Sequence, residues 1–200
     1  MKRRTSENEL LSLLSRRQDD EDFGNVVFLS GDIDHDSSRR IMLKLLRCEQ
    51  EDEKEEIFFF INSPGGYIDD VFAIYDTMKA IRNPIYTICF GHAMSGAALL
   101  LAAGHRGERR IGSSSRAMIH EISICEFSGT HTDLEVESKE AKKLNDRFIA
   151  LLAKEMEKDI KEIRGMVQGG EDHYFTAQQA KKAGLVDIVL GGRKLDGESS

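Results

Sequence analysis

The sequence predicts an α/β fold of repeated β-α units with mainly parallel strands. Two observations carry that prediction. Short apolar runs such as Ile57-Phe58-Phe59-Phe60-Ile61 and Tyr86-Thr87-Ile88-Cys89-Phe90 alternate with longer stretches whose apolar residues recur at helical spacing. The chain also has only two prolines in 200 residues and no repeat or low-complexity linker, so regular structure runs through it as one domain.

The elements follow in order. Val26-Val27-Phe28-Leu29 is a short strand closed by a turn at Ser30-Gly31. Asp36-Ser37-Ser38 is expected to cap a helix carried by Ile41, Leu43, Leu45 and Leu46 to about Cys48. The acidic run Glu49 to Glu56 reads as a solvated connection. Ile57 to Ile61 is a strand expected to be buried on both faces, and it runs into Asn62-Ser63-Pro64-Gly65-Gly66. A helix bearing Val71, Ile74, Tyr75 and Met78 comes next, then the strand Tyr86 to Phe90, ending at Gly91. Ser95 to Ala103 is a small-residue helix stopped by Gly104. Ala117 to Ile122 reads as a strand, Asp133 to about Lys158 as a long charged helix, and Lys158 to Val167 as a shorter one. Thr176 caps Ala177 to Lys182, Gly184 ends it, and Val186 to Leu190 is the last strand.

Charge and composition narrow the function classes. Against 28 Lys and Arg stand 35 Asp and Glu, for a net charge of −7, which argues against nonspecific nucleic-acid binding and against anionic membranes. The N-terminus begins basic, but Ser12 and Ser15 break its apolar part, so no signal peptide is expected. The most apolar window, Ala93 to Ala103, is too short to span a bilayer. Cys48, Cys89 and Cys125 lie far apart, which fits a reducing, cytoplasmic compartment. No His or Cys spacing suggests a metal, since Asp172-His173 alone is a weak signal.

In sheets of this class chemistry gathers at the carboxyl ends of strands. Three turns sit there. In Gly91-His92-Ala93-Met94-Ser95-Gly96 a serine follows a strand and opens a helix, whose N–H groups would favour a developing oxyanion. It departs from the G-x-S-x-G elbow, and on its own Ser95 reads first as a plain N-cap. In Asn62-Ser63-Pro64-Gly65-Gly66 the paired glycines allow close backbone approach to a ligand, or simply make a turn; no G-K-[ST] follows that would make it a phosphate loop. In Met118-Ile119-His120-Glu121 a histidine inside an apolar strand is either a structural residue or a base. Of the other histidines, His92 lies on the approach to the serine turn and is read as oriented away. His35, His105, His131 and His173 fall in loops or at helix ends with no strand to place them.

Taken together these turns resemble the proteolytic subunit family of the Clp proteases, ring-forming serine peptidases, over roughly Val26 to Leu190. F-x-I-N-S-P-G-G at Phe59–Gly66, I-Y-D-T-M at Ile74–Met78, G-x-A-x-S at Gly91–Ser95 and S-R-x-M-I-H at Ser115–His120 match in order. Asp172 before His173-Tyr174-Phe175-Thr176-Ala177, and Gly184-Leu185-Val186-Asp187, complete the pattern. The resemblance implies a Ser95–His120–Asp172 triad, with an oxyanion hole at the backbone N–H groups of Gly66 and Gly96. It implies a spiral fold shared with crotonases, whose peptidase domain spans residues 23–193 and whose long helix, about 133–158, projects as a handle. Residues 1–22 would form an N-terminal helical or flexible segment and 194–200 a C-terminal tail. It further implies a heptameric ring, two of them stacked, that encloses a chamber where unfolded polypeptide is cut. An AAA+ unfoldase would feed the chamber. The chain itself has no P-loop and needs no cofactor, so ATP would be used only by that separate partner.

The departures are specific. The family usually has Met after its serine where this chain has Gly96; glycine keeps the N–H donor but is expected to loosen the turn. Glu121-Ile122 replace the usual Gln-Pro, and Ser123 to His131 is one residue longer and poorer in glycine. Glu171 stands where the family usually has Arg, reversing a charge that helps join the rings. Ser6-x-x-Glu9 ahead of Leu10, Leu11, Leu13 and Leu14 reads as a capping box and short helix instead of a flexible axial arm. These departures keep two alternatives open, a processing peptidase of this fold that needs no ATPase and a non-catalytic ring subunit. A crotonase-type acyl-CoA enzyme would not need the Ser95, His120 and Asp172 set.

Overall fold

The computed structural model describes residues 24–123 and 129–191. Expectations for the two termini, and for Cys125 in the segment after His120, lie outside the described residues.

Seven strands form one sheet among the described residues. Strand β1 (Val26–Ser30) leads into helix α1 (His35–Glu51), β2 (Ile57–Ser63) into α2 (Ile68–Ala80), and β3 (Ile85–Met94) into α3 (Gly96–Ala102). Then come β4 (Arg110–Gly112), β5 (Arg116–Ile119), α4 (His131–Met156), α5 (Ile160–Val167), β6 (His173–Thr176), α6 (Ala177–Lys182) and β7 (Ile188–Leu190). The main path runs β1-β2-β3-β4-β7 with every pairing parallel. The α/β class with mainly parallel strands is therefore as expected, with one exception. Strand β5 pairs parallel to β3 but antiparallel to β6.

Strand β3 is long because it serves two neighbours. Its first half pairs with β4 at Ile88 and Cys89, and its last residues pair with β5 from His92 to Met94. The change of partner falls around Gly91, at φ 89°, where a side chain would sit 2.5 Å from Asn62 Oδ1. Only glycine gives the chain both that backbone angle and that space. This bend delivers the end of β3 to β5 and thereby builds the site.

Several local expectations are corrected. The cap of α1 is Asp34, two residues earlier than Asp36: its carboxylate accepts from Ser37 N, and Ser37 Oγ accepts from Asp34 N. The start of the acidic run, Glu49 to Glu51, is helical, and Glu49 accepts from the backbone and side chain of Arg82. Strands β4 and β6 were not foreseen; at three and four residues they are too short for a periodicity to show. His173 is accordingly placed by a strand and packs on Phe175, with ring centroids 4.7 Å apart.

Strand β2 is not buried on both faces. Ile57, Phe59 and Ile61 enter the core, while Phe58 and Phe60 are half-buried on the other side. There Phe28, Phe60 and Phe90 stack in a row, with centroids 5.3 and 6.1 Å apart and with Phe28 and Phe90 about half exposed. A continuous apolar run does not tell one-sided from two-sided burial.

The core lies under the opposite face, where α1, α2, α3 and the second half of α4 pack in succession. Thr130 caps α4 in a box with Asp133, so this helix starts two residues before the expected boundary. Residues 131–140 are all exposed, whereas Phe148, Ile149, Leu152, Ala153 and Met156 are buried. At 1.5 Å per residue the exposed part projects by roughly 15 Å. Glu155 is buried too, and its carboxylate accepts from Tyr75 Oη at 2.6 Å and pairs with Lys79 Nζ at 3.1 Å. Burial, and then the hydrogen bond to this carboxylate, push the Tyr75 hydroxyl well above its ordinary value. Near the last strand the buried Arg109 clamps Asp187 through Nη2–Oδ1 at 2.5 Å and Nε–Oδ2 at 2.8 Å. Burial works to raise the Asp187 carboxyl, but the Arg109 hydrogen bonds outweigh it and hold the group below the usual range.

Candidate active site

Register places the three polar residues. Met94 of β3 lies beside Met118 of β5, and the Ser95 N–H donates to the Met118 carbonyl at 2.8 Å. Ser95 and His120 thus leave adjacent parallel strands within one residue of the same level. On the other side Ile119 lies opposite His173 in the antiparallel pair, so the next residues outward are His120 and Asp172. His120 consequently sits just past β5, not inside it as its apolar run suggested, because β5 ends at Ile119.

Ser95 Oγ lies 2.8 Å from His120 Nε2. With the ring proton on Nδ1, the hydroxyl donates to Nε2. His120 Nδ1 is 3.7 Å from Asp172 Oδ1, beyond hydrogen-bond length. Asp172 is 45% exposed, and its Oδ2 accepts from Tyr174 Oη at 3.2 Å. The Arg116 guanidinium lies over the Tyr174 ring, 5.9 Å from its centroid.

The serine backbone bears on the two readings of that turn. Ser95 occupies the N-cap position of α3, but its side chain makes no capping hydrogen bond, and its φ of 54° with ψ of −125° is a conformation that L-residues rarely adopt. A serine chosen for capping would have extended backbone and would bond to the first turn. Here the strain instead turns the hydroxyl to the imidazole, as a sharp strand-to-helix turn does for a nucleophile.

The glycine loop closes over this turn. Gly65, at φ 95°, seats so closely that a side chain there would lie 2.8 Å from the Met94 carbonyl and 2.9 Å from Ser95 Cβ. Gly66 pairs with Ile33 through the neighbouring Gly65 carbonyl and Tyr67 N–H, which leaves its own N–H off that pairing. Gly96, the first residue of α3, has an N–H that no intrahelical acceptor can reach. Neither N–H is used by the bridge or the helix it adjoins.

Sequence reasoning missed the residues that hold these parts. Ser63 Oγ accepts from Gly65 N at 3.0 Å, Ser115 Oγ accepts from Gly91 N at 3.0 Å, and Asn145 Oδ1 on α4 accepts from Ile122 N at 3.1 Å. Tyr174, on the unforeseen β6, is the fourth. Ser63, Ser115 and Tyr174 lie inside the quoted motifs and carried a signal; Asn145 is brought in by tertiary structure alone. Glu171 is exposed beside Asp172. Cys89 is fully buried, and burial alone pushes its thiol up to about 12, away from the reactive thiolate form. No helix among the described residues is long and apolar enough to cross a membrane.

The chain is 36% identical over 169 residues to the ATP-dependent Clp protease proteolytic subunit 1 of Bifidobacterium longum, covering 84% of this chain and 72% of that protein. It is 36% identical over 174 residues to the proteolytic subunit 2 of Corynebacterium jeikeium, covering 87% and 82%. It is 37% identical over 172 residues to the proteolytic subunit 1 of Corynebacterium diphtheriae, covering 86% and 81%. The Clp protease family pattern matches residues 21–193, and with that span and these identities the chain belongs to the Clp protease family.

Proposed function

We propose that this chain is a serine endopeptidase, the proteolytic subunit of an ATP-dependent Clp-type protease that cuts unfolded polypeptide inside a ring-shaped chamber. The observation that carries the reading is the 2.8 Å contact between His120 Nε2 and a Ser95 hydroxyl held in strained backbone. His120 takes the proton as Ser95 Oγ bonds to the substrate carbonyl carbon, and the carbonyl oxygen becomes an oxyanion between the N–H groups of Gly66 and Gly96. When the tetrahedral species collapses, the C–N bond breaks and His120 returns the proton to the leaving amine. Water then repeats the sequence and releases the acyl group. Asp172 fixes the imidazole tautomer and stabilises the imidazolium. Assembly into stacked heptameric rings, and delivery of substrate by an AAA+ unfoldase, rest on the family and on the names of the relatives.

A fluorophosphonate tests the nucleophile directly: the Ser95 Oγ–P bond forms, the P–F bond breaks, fluoride leaves and His120 accepts the proton. One adduct on Ser95 by intact mass and peptide mapping is expected, absent in Ser95→Ala and His120→Ala. Ser95→Ala should lower peptide hydrolysis by about 10⁵–10⁶-fold, as removal of a triad serine does. Ring-sized particles by light scattering that take up no label would favour the non-catalytic ring subunit. Degradation of a folded substrate without any ATPase would favour the processing peptidase.

A further inference from the structure

The glycine after the serine is the family departure nearest to the chemistry, and the structure changes its meaning. Glycine at position 96 was expected to loosen the turn. Instead the volume a side chain there would need is already filled. A Cβ on Gly96 would lie 2.3 Å from one γ-methyl of Val71 and 3.1 Å from the other. Ordinary van der Waals contact begins near 3.4 Å, so even alanine would force α2 and α3 apart by about an ångström. Neither partner has slack. Val71 is fully buried, its N–H donates to the Tyr67 carbonyl at 3.0 Å, and α2 begins two residues after Gly66. Its β-branched side chain is also stiff about χ1. The glycine loop also lies close to the same peptide, since a side chain on Gly65 would lie 3.1 Å from Gly96 N.

We propose that Val71 is a positioning residue for the oxyanion hole. Its γ-methyls occupy the space of a residue-96 side chain and so set where the Gly96 N–H stands relative to that of Gly66. Positions 71 and 96 form one size-complementary pair, with the bulk carried on α2 instead of on the helix that follows the serine. This rests on the reading of Ser95 as nucleophile and of the two N–H groups as the oxyanion hole.

The experiment is a double-mutant cycle on the assembled full chain with wild type, Gly96→Ala, Val71→Ala and the double variant. The rate of fluorophosphonate labelling at Ser95, and kcat and KM for a short fluorogenic peptide, are measured beside melting temperature and ring assembly. Gly96→Ala is expected to lower kcat and labelling by about 100-fold with KM nearly unchanged, the scale of a displaced oxyanion donor. In the Val71→Ala background the same change should cost less than about tenfold, because the clash has been removed. Equal losses in both backgrounds, or a Gly96→Ala chain as fast as wild type, would overturn the proposal. A wild-type chain that takes no label on Ser95 overturns the underlying reading and the proposal with it. Wild-type labelling with equal losses overturns the pair alone. Where Gly96→Ala unfolds, a double variant that folds and labels supports the pair. If both unfold, Val71→Ala decides: a lowered kcat at unchanged KM is the expected result, and an unchanged kcat overturns the proposal.

Discussion

Ser95 meets one nitrogen of His120 at 2.8 Å from a seam of parallel strands, whereas Asp172 stands 3.7 Å from the other nitrogen at the rim of the fold. The first contact is enforced from every side. The Ser95 N–H is tied to β5, Gly65 lies so near that a side chain there would come within 2.9 Å of its Cβ, and Gly96 behind it is seated on Val71. The second contact depends on a carboxylate that is 45% exposed, precedes a four-residue strand, and is steadied by one hydrogen bond from an exposed tyrosine. The contrast teaches that Ser95 and His120 are held together by the sheet and its packing, while Asp172 stands at the exposed rim.

The comparison breaks first at Gly65. Gly65→Ala forces a positive φ on an L-residue and a clash with Met94 and Ser95, so activity should fall about 10³-fold as the oxyanion donor moves. The melting temperature should drop too, since backbone strain of this kind costs about 1–3 kcal/mol. A variant of normal stability and activity, by calorimetry and peptide hydrolysis, would show the nucleophile side to be looser than its geometry. The acidic side should be less sensitive. Asp172→Asn is expected to lower kcat by about 10²-fold, short of the roughly 10⁴-fold loss seen when a buried, hydrogen-bonded triad aspartate is changed. A loss as deep as that of Ser95→Ala would mean that Asp172 is fully engaged during turnover. The smallest effect belongs to Tyr174→Phe. Its exposed hydrogen bond falls at the weak end of the scale, so kcat should change about two- to threefold with KM unmoved. A tenfold change, read from the same progress curves, would make Tyr174 a principal support of the carboxylate.

Much of the fold could be read from the chain, and the reasons are local. Helix α2 announces itself through Val71, Ile74, Tyr75 and Met78, all of which are buried at the expected spacing. Thr176 caps α6 as its position suggests. The site residues lay in motifs because turns at strand ends need particular residue types: glycine at Gly65 for a positive φ, and small side chains where backbones meet. The rest was set at long range. Strand β6 was invisible because its four residues are defined by pairing with β5 and not by their own pattern. The outer face of β2, where Phe60 stacks with Phe28 and Phe90, was read as interior because an apolar run has the same composition whether one side or two are covered.

What the sequence determined by itself is the order of strands and helices and the identity of the residues that can do chemistry, because both follow from propensities and side-chain types within a few positions. What only the tertiary structure decided is how those residues stand to one another. The change of partner in β3 around Gly91 brings Ser95 to His120, and the antiparallel β6 brings Asp172 near but not into contact. The packing of Val71 into the space above Gly96 turns a glycine that looked permissive into a fixed point. The physical reason is that steric complementarity between residues 25 positions apart depends on the angle and height at which two helices cross, and no local pattern encodes that.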